Sequence, residues 1–575
     1  MFLRHYCYLL LLWIPLSGTS LLLSGCEHQT REAGPQSQIT IYPDRLIGEL
    51  RPIWNNFGYD EALTTLTPEG EDLLAKLARL RPEQPTRIRV HHLLTSGDGT
   101  LALKWSSTNV YTEDDTGKPV YDWSLIDKIM DAQTRPGLEP FVEAGFMPKA
   151  LSSKPDPYTP KLTQHGMPQG MVEGGAFYPP KDYKKWEALI EAWARHCKER
   201  YGEAAASSWL WEVWNEPESD YWRGTPEEFF KLYDHFAAAV KRVLPNARTG
   251  GPHVTGPGWR HGDIFMTAFL EHCRNGVNAV TGKRGAPLDF IAFHAKGTTR
   301  LDEEGRVEMN LRNQLQTIET YGKIIASFPE FKNLPIFLGE SDPEGCAGCP
   351  ATLSPERDYR RTSQFAAYTA ASFMRKQDLM ARTGGDLQGA VSWAFTFHDQ
   401  PWFNGLRALT TNTVALPVFN AFKLFAQLEE KRVQVVNPDG YTLDELIADS
   451  VRGNRPDISA VAVRGKQHLQ ILLWHYHDVA GDGPDAEVEL VIKGLPGVEL
   501  LHVSRQSIDN TSANSYSAWL AMGSPQNPGT EQIDALHKAA SLKPIALPDI
   551  KRGKEGLALN IVLPRQSVSL LDLTW

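Results

Sequence analysis

The sequence predicts an α/β chain in which a (β/α)8 barrel is followed by an antiparallel β-sandwich. Three observations predict it. From Arg51 to about Ala426, short apolar segments alternate with longer amphipathic ones, the pattern of parallel strands joined by helical crossovers. That stretch offers eight strand candidates, the number that closes a barrel. After Glu430 the segments become short and alternating, separated by Gly, Pro and Asp clusters, as antiparallel strands are.

The N-terminal segment reads as a targeting signal. Arg4 and His5 precede an apolar run, Tyr8 to Leu16, and a second at Leu21 to Leu23. Leu23-Ser24-Gly25-Cys26 then resembles a bacterial lipoprotein signal, with cleavage before Cys26 and lipid on its thiol. The alternatives are an ordinary secretory signal or a short membrane anchor. Pro15, Ser17, Gly18 and Ser20 break the apolar stretch, which argues against a spanning helix. The expected organisation is therefore a signal peptide over 1–25, a polar tether over 26–38, the barrel over 39–428 and the sandwich over 429–575. The expected location is outside the cytoplasm, lipid-anchored to a bacterial membrane and facing the periplasm or cell surface.

The barrel strands are expected at Ile53–Phe57, Arg87–His91, Leu138–Ala144, Trp209–Trp214, Ala247–Gly251, Phe290–His294, Pro335–Gly339 and Ala390–Phe395. Between them, Leu125–Ala132, Tyr183–Arg200, Pro226–Val243, Leu311–Phe328 and Arg357–Met374 repeat apolar residues at three- and four-residue spacing. Thr225-Pro226 reads as a helix cap followed by a first-turn proline. Sandwich strands are expected at Val461–Val463, His468–Tyr476, Glu487–Val491 and Ser567–Leu573, interrupted by a polar insert from Ala513 to Leu536.

Composition narrows the partners. The formal net charge of -10 lacks the basic surplus of a nucleic-acid binder, and 42% hydrophobic residues give a globular chain. The 16 tryptophans suit both core packing and stacking on sugar rings. Cys197 and Cys273 fall in expected helices and read as buried small hydrophobes. Cys7 leaves with the signal. Cys346 and Cys349 form a C-x-x-C pair, read as a local disulfide, since a metal site needs more ligands than two.

Two segments carry the chemistry. Trp211-Glu-Val-Trp-Asn-Glu-Pro217 and Leu334-Pro-Ile-Phe-Leu-Gly-Glu340 each read as an apolar strand ending in a carboxylate. Side chains at the carboxyl ends of barrel strands line the active site, and two facing carboxylates there are the equipment for cleaving a glycosidic bond. Asn-Glu-Pro by itself also occurs in ordinary turns. The spacing adds weight, because it places Glu216 on the fourth strand and Glu340 on the seventh. Glu216 fits the acid, its aromatic surround raising a carboxyl pKa. Glu340 fits the nucleophile. Asn215 is placed to meet a sugar 2-hydroxyl.

The chain resembles glycoside hydrolase family 39, which includes β-xylosidases and α-L-iduronidases. The resemblance rests on Arg87-Ile-Arg-Val-His-His-Leu-Leu94, Pro140-Phe-Val-Glu-Ala-Gly-Phe-Met-Pro-Lys149, Tyr178-Pro-Pro-Lys-Asp-Tyr-Lys-Lys-Trp186 and Ala421-Phe-Lys-Leu-Phe425. It continues through Leu473-Trp-His-Tyr-His-Asp478 and Met522-Gly-Ser-Pro-Gln-Asn-Pro528. It implies a TIM barrel with a flanking β-sandwich and retention of anomeric configuration. It also implies Glu216 as acid/base and Glu340 as nucleophile.

Further pocket candidates are His91, which family members place on a sugar hydroxyl, and Glu143, which either positions a hydroxyl or balances Lys149. His294 and Lys296 form a His-x-Lys-Gly pattern like that of the α-L-iduronidases, where the Lys meets a substrate carboxylate, and Asp342-Pro343 leans the same way. A structural role is the alternative for each. The sequence departs from the β-xylosidases after the nucleophile. It also lacks a clear partner for the iduronidases' acidic residue on strand eight, with Arg407 a possible second cation. Trp393, Phe397, His398, Trp402 and Phe403 line the mouth or pack between barrel and sandwich.

The expected function is a retaining exo-acting glycosidase on plant-type oligosaccharides, first a β-xylosidase. The alternatives are a related exo-hydrolase of uronic-acid or arabinose-containing glycans, or a non-catalytic surface glycan-binding lipoprotein. The partners are then an oligosaccharide and a membrane, with no nucleic acid. Acid/base and nucleophile complete the mechanism, so no metal or organic cofactor is implied.

Overall fold

The computed structural model describes residues 34–159, 161–162, 168–169, 174–258, 260–393, 395–494, 502–547, 551–553 and 556–575. The expected signal segment, Cys7 and Cys26 lie outside the described residues.

Strand β1, Gln36–Glu49, precedes the barrel. The barrel strands are β2 (Asn56–Tyr59), β3 (Arg87–Val90), β4 (Glu139–Ala144), β5 (Leu210–Val213), β6 (Arg248–Val254), β7 (Phe290–His294) and β8 (Pro335–Glu340). The eighth position is shared by β9 (Asp386–Ala390) and β10 (Ser392–Trp393). All neighbours are parallel, and β10 pairs with β2 through Ser392 opposite Phe57 and so closes the ring. The first strand starts later than expected, because Arg51 to Asn55 turns back on itself through Ile53 N to Arg51 O and Asn55 N to Pro52 O. The eighth starts earlier and breaks after Ala390.

Phe141, Phe290 and Phe337 meet edge-on inside the barrel, with ring centroids 5.6 to 5.8 Å apart, and form a solid floor beneath the strand ends. The helices pack outside. Helix Pro226–Val243 opens with a reciprocal cap between Thr225 and Glu228 and with proline in its first turn, as its sequence predicts. The helix expected from Arg357 begins at Ser363, after a 3-10 turn over Pro355–Arg361, with Thr362 as its cap.

The second layer is a ten-stranded sheet made of β1 with β11 (Lys431–Val436), β12 (Asp457–Arg464), β13 (His468–Tyr476), β14 (Ala486–Ile492), β15 (His502–Ile508), β16 (Ile545–Ala546), β17 (Lys551–Gly553), β18 (Gly556–Leu563) and β19 (Ser567–Thr574). Its order is β16-β15-β19-β13-β12-β11-β1-β14-β18-β17. Every pairing is antiparallel except β1 with β14.

The N-terminal boundary thus differs from the expectation of a tether to 38 and a barrel from 39. Ser37, Ile39 and Ile41 alternate inward along β1, so burying the two isoleucines commits the segment to the sandwich core. The polar insert folds as two helices, Ser515–Ala521 and Thr530–Ala539. Arg375, on the helix Ser363–Arg382, forks onto Asp457 of β12 at 2.7 and 2.8 Å and ties the two layers together.

Candidate active site

Glu216 and Glu340 meet at the carboxyl end of the barrel. Glu340 is the last residue of β8. Glu216 follows β5 in a turn where Trp214 and Glu216 both take positive φ, 72° and 44°, and its amide donates to His253 O at 3.1 Å. Carboxylate oxygens of both residues and a ring nitrogen of His294 lie within 4.8 Å of one another. The trio has the donor types of a metal site, but Lys296 already places a cation 2.6 Å from Glu340 Oε2.

The two carboxyls have opposite surroundings. Burial, and then the negative charge of Glu340, push Glu216 up to about 8. Its Oε1 shares a 2.8 Å hydrogen bond with His294 Nδ1, whose direction follows the imidazole tautomer. Burial lowers His294 to about 3, so the ring is neutral. Burial works upward on Glu340 too, but the Lys296 ammonium and then the protonated His91 outweigh it and hold the carboxyl well below its ordinary value. Arg89 Nη1 and His91 Nε2 stand 3.5 and 3.6 Å from Glu340 Oε1.

Beneath the pair lies a network that sequence reasoning left out. Arg89 is fully buried and binds Glu143 at 2.8 Å and Glu212 at 2.6 Å. It also donates to Asn215 Oδ1 at 3.2 Å. Glu212 contacts His253 Nε2, and burial raises its carboxyl to about 7 against the pull of Arg89. A signal existed. Arg89 sits two residues before His91 in the motif, so both face the barrel interior.

The other candidates divide. Burial alone would lower His91, but the 2.7 Å contact with Glu143 brings it up to about 9, so His91 carries a proton. Glu143 therefore balances Arg89 and His91, whereas Lys149 pairs with Asp156 at 2.9 Å. Trp393 covers His91 at 4.4 Å between ring centroids and donates its indole N–H to Asp60 at 3.1 Å. Asp60 also pairs with Lys104. Lys296 is held between Glu340 and Asp342, the latter at 2.5 Å. Arg407 is buried behind Asp342.

Phe403 packs on Tyr516 and Trp519 of the insert at 5.6 and 5.0 Å, Trp402 hydrogen-bonds Gln526, and His398 pairs with Glu69. Trp402 and Phe403 thus join barrel to insert. Cys346 and Cys349 are joined in a disulfide, and Cys197 and Cys273 are buried thiols.

The local sequence explains the close fit. A Cβ at Gly339 would fall 2.0 Å from His253 Nδ1, so only glycine lets β8 bring Glu340 this close to the histidine layer. A Cβ at Gly58 would meet the Trp393 ring at 2.4 Å.

The profile of glycosyl hydrolases family 39 matches residues 37–553. A β-xylosidase of Geobacillus stearothermophilus is 29% identical over 507 residues, covering 84% of this chain and 86% of that protein. An α-L-iduronidase of Mus musculus is 27% identical over 425 residues, covering 68% of this chain and 62% of that protein. In fold, the chain is similar to a monomeric β-xylosidase from Caulobacter crescentus CB15, with a TM-score of 0.69 at 20% identity over 94% of this chain and 99% of that one.

Proposed function

Because the chain belongs to family 39 of the glycosyl hydrolases, it is a glycoside hydrolase, and we propose that it is a retaining, exo-acting β-xylosidase. Glu216 is the acid/base and Glu340 the nucleophile. The observation that carries these roles is the pair itself, two carboxyls within 4.8 Å in opposite electrostatic surroundings. That separation is short of the wider spacing that inverting enzymes keep for a water on the far face of the sugar, and it suits direct attack on the anomeric carbon.

Glu216, protonated at neutrality, gives its proton to the leaving oxygen. Glu340, ionised by Lys296, attacks and forms the glycosyl-enzyme. Glu216, now a carboxylate, draws a proton from the water that releases the sugar. Side-chain exposures of 15% for Glu216 and Lys296 and 7% for Glu340 describe a recessed pair, which suits removal of a terminal residue. The relative of 29% identity supports xylose as that residue.

A second reading, an exo-hydrolase of uronic-acid or arabinose-containing glycans, draws on the iduronidase relative and on the His294-x-Lys296 pattern. Against it, Lys296 is already bound by two carboxylates. The non-catalytic alternative has no support from a site with both carboxyls present and tuned.

Aryl xyloside, arabinoside, glucuronide and iduronide compared side by side test the substrate. The xyloside is expected to turn over fastest, and Lys296→Met is expected to depress every substrate alike. A loss on uronides exceeding that on neutral glycosides by about 2 kcal/mol, the size of a hydrogen bond to a charged group, would favour the second reading.

We further propose export and lipid attachment at Cys26, from the N-terminal sequence alone. Among the described residues, no helix is long and apolar enough to cross a membrane. Cys26→Ser is expected to release the protein from membranes, and unchanged fractionation would overturn the anchor.

A further inference from the structure

Side chains of alternating charge lead outward from Glu340. Lys296 Nζ lies 2.6 Å from Glu340 and 2.5 Å from Asp342. Asp342 Oδ2 lies 3.5 Å from Arg407 Nη2, and Arg407 Nη1 lies 2.7 Å from Glu344 Oε1. The same Glu344 oxygen takes Arg360 Nη2 at 2.6 Å and the Tyr359 hydroxyl at 2.9 Å. Arg360 ends the series in a cage of carbonyls: Cys346 O at 2.6 Å, Cys349 O at 2.7 Å, Gly405 O at 3.1 Å and Ala347 O at 3.3 Å. Three of those carbonyls belong to the loop that the Cys346–Cys349 disulfide closes. Arg360 and Arg407 are 0% exposed and Asp342 is 1% exposed, so water does little to screen the links.

The mechanism needs only the first link, yet a buried series of ion pairs couples each charge to the next. We propose that Asp342, Arg407, Glu344 and Arg360 are positioning residues that apportion the Lys296 ammonium between Glu340 and Asp342, and so hold the nucleophile as a carboxylate.

The sign of each contribution follows from its place. Without the Arg407 charge, Asp342 is under-neutralised, draws Lys296 off Glu340 and adds its own repulsion, which favours the protonated nucleophile. Without the Glu344 charge, Arg407 turns wholly to Asp342 and Lys296 is left to Glu340. Without Arg360, Glu344 competes harder for Arg407, and the effect has the sign of losing Arg407 at smaller size. The other groups around Glu340 stay in place throughout. They are Arg89 on β3 and His91 just after it, Glu216 after β5, His294 on β7, and Asp60 with its partner Lys104. Lys376, buried on the helix Ser363–Arg382, faces Asp342 and Lys296 and is likewise retained.

The test is the pH profile of kcat/KM for the full chain and for Arg407→Gln, Arg360→Gln and Glu344→Gln, with thermal melting to establish that each is folded. Arg407→Gln is expected to move the acid limb up by about one pH unit, and Arg360→Gln to move it the same way by less. Glu344→Gln is expected to leave it at or below the wild-type position. A merely structural series predicts one direction for all three, tracking lost melting temperature. That result, or an unmoved limb in folded Arg407→Gln, overturns the proposal. Should Arg407→Gln not fold, the opposition of Arg360→Gln and Glu344→Gln decides. The inference rests on Glu340 as nucleophile, which azide rescue of Glu340→Ala tests separately. Rescue with unmoved limbs would remove the charge series alone.

Discussion

Glu216 and Glu340 are the same residue type with opposite electrostatic fates, and neighbours account for the difference. Glu216 is desolvated beside a neutral imidazole and another carboxylate, whereas Glu340 has an ammonium at 2.6 Å. Activity is therefore expected to fall as pH rises through about 8, where Glu216 loses the proton it must donate. On the acid side it should persist below the ordinary carboxylate range, because Glu340 gains its proton only well below its usual value. Glu340→Ala is expected to abolish turnover, with azide restoring it and giving product of inverted configuration. Glu216→Ala should spare the first step on aryl glycosides with good leaving groups, and an equal loss on a natural disaccharide and an activated glycoside would sink that role. Both glutamates were legible because a carboxylate ending an apolar strand is a local signal. Arg89 left only the hint of its two-residue spacing from His91, and Glu212 and His253 were not legible, because a charged residue inside a strand has meaning only once the ring of strands brings its partners together.

At the scale of the strand, the approach of backbone to backbone is set by residues with no side chain at all. Gly339→Ala would drive a methyl into His253, whose ring sits over Glu212. Overpacking of this kind costs about 1–3 kcal/mol, and here the strain falls one residue before the nucleophile. The expected outcome is a large fall in kcat with a modest loss in melting temperature, and wild-type kcat would show that β8 has slack. The strands themselves could be read from their apolar runs to within a few residues. The break in the eighth was missed, because Ala390 to Phe395 is apolar apart from Ser392 and only its pairing with β2 shows where it divides. The cap at Thr225 was legible because capping is written entirely in neighbouring residues.

For the whole molecule, the first strand belongs to the last domain. β1 lies in the middle of the ten-stranded sheet, between β11 and β14, and no run of sequence near it announces those partners. A chain beginning at Leu50 keeps every barrel strand but is expected to lose the joint between the two halves of the sandwich sheet. It should aggregate or melt far below the protein that begins at Gly34, and equal melting temperatures for the two would contradict this placement. The placement also imposes an order in time. Thr40 pairs with Val436 and Ile39 with Leu490, so a ribosome making ~10 residues per second must add roughly 400 residues, over about 40 s, before β1 can find a neighbour. For that interval Ile39 and Ile41 wait on an open strand while the barrel emerges, which makes this short N-terminal stretch the natural place for a chaperone to hold the nascent chain.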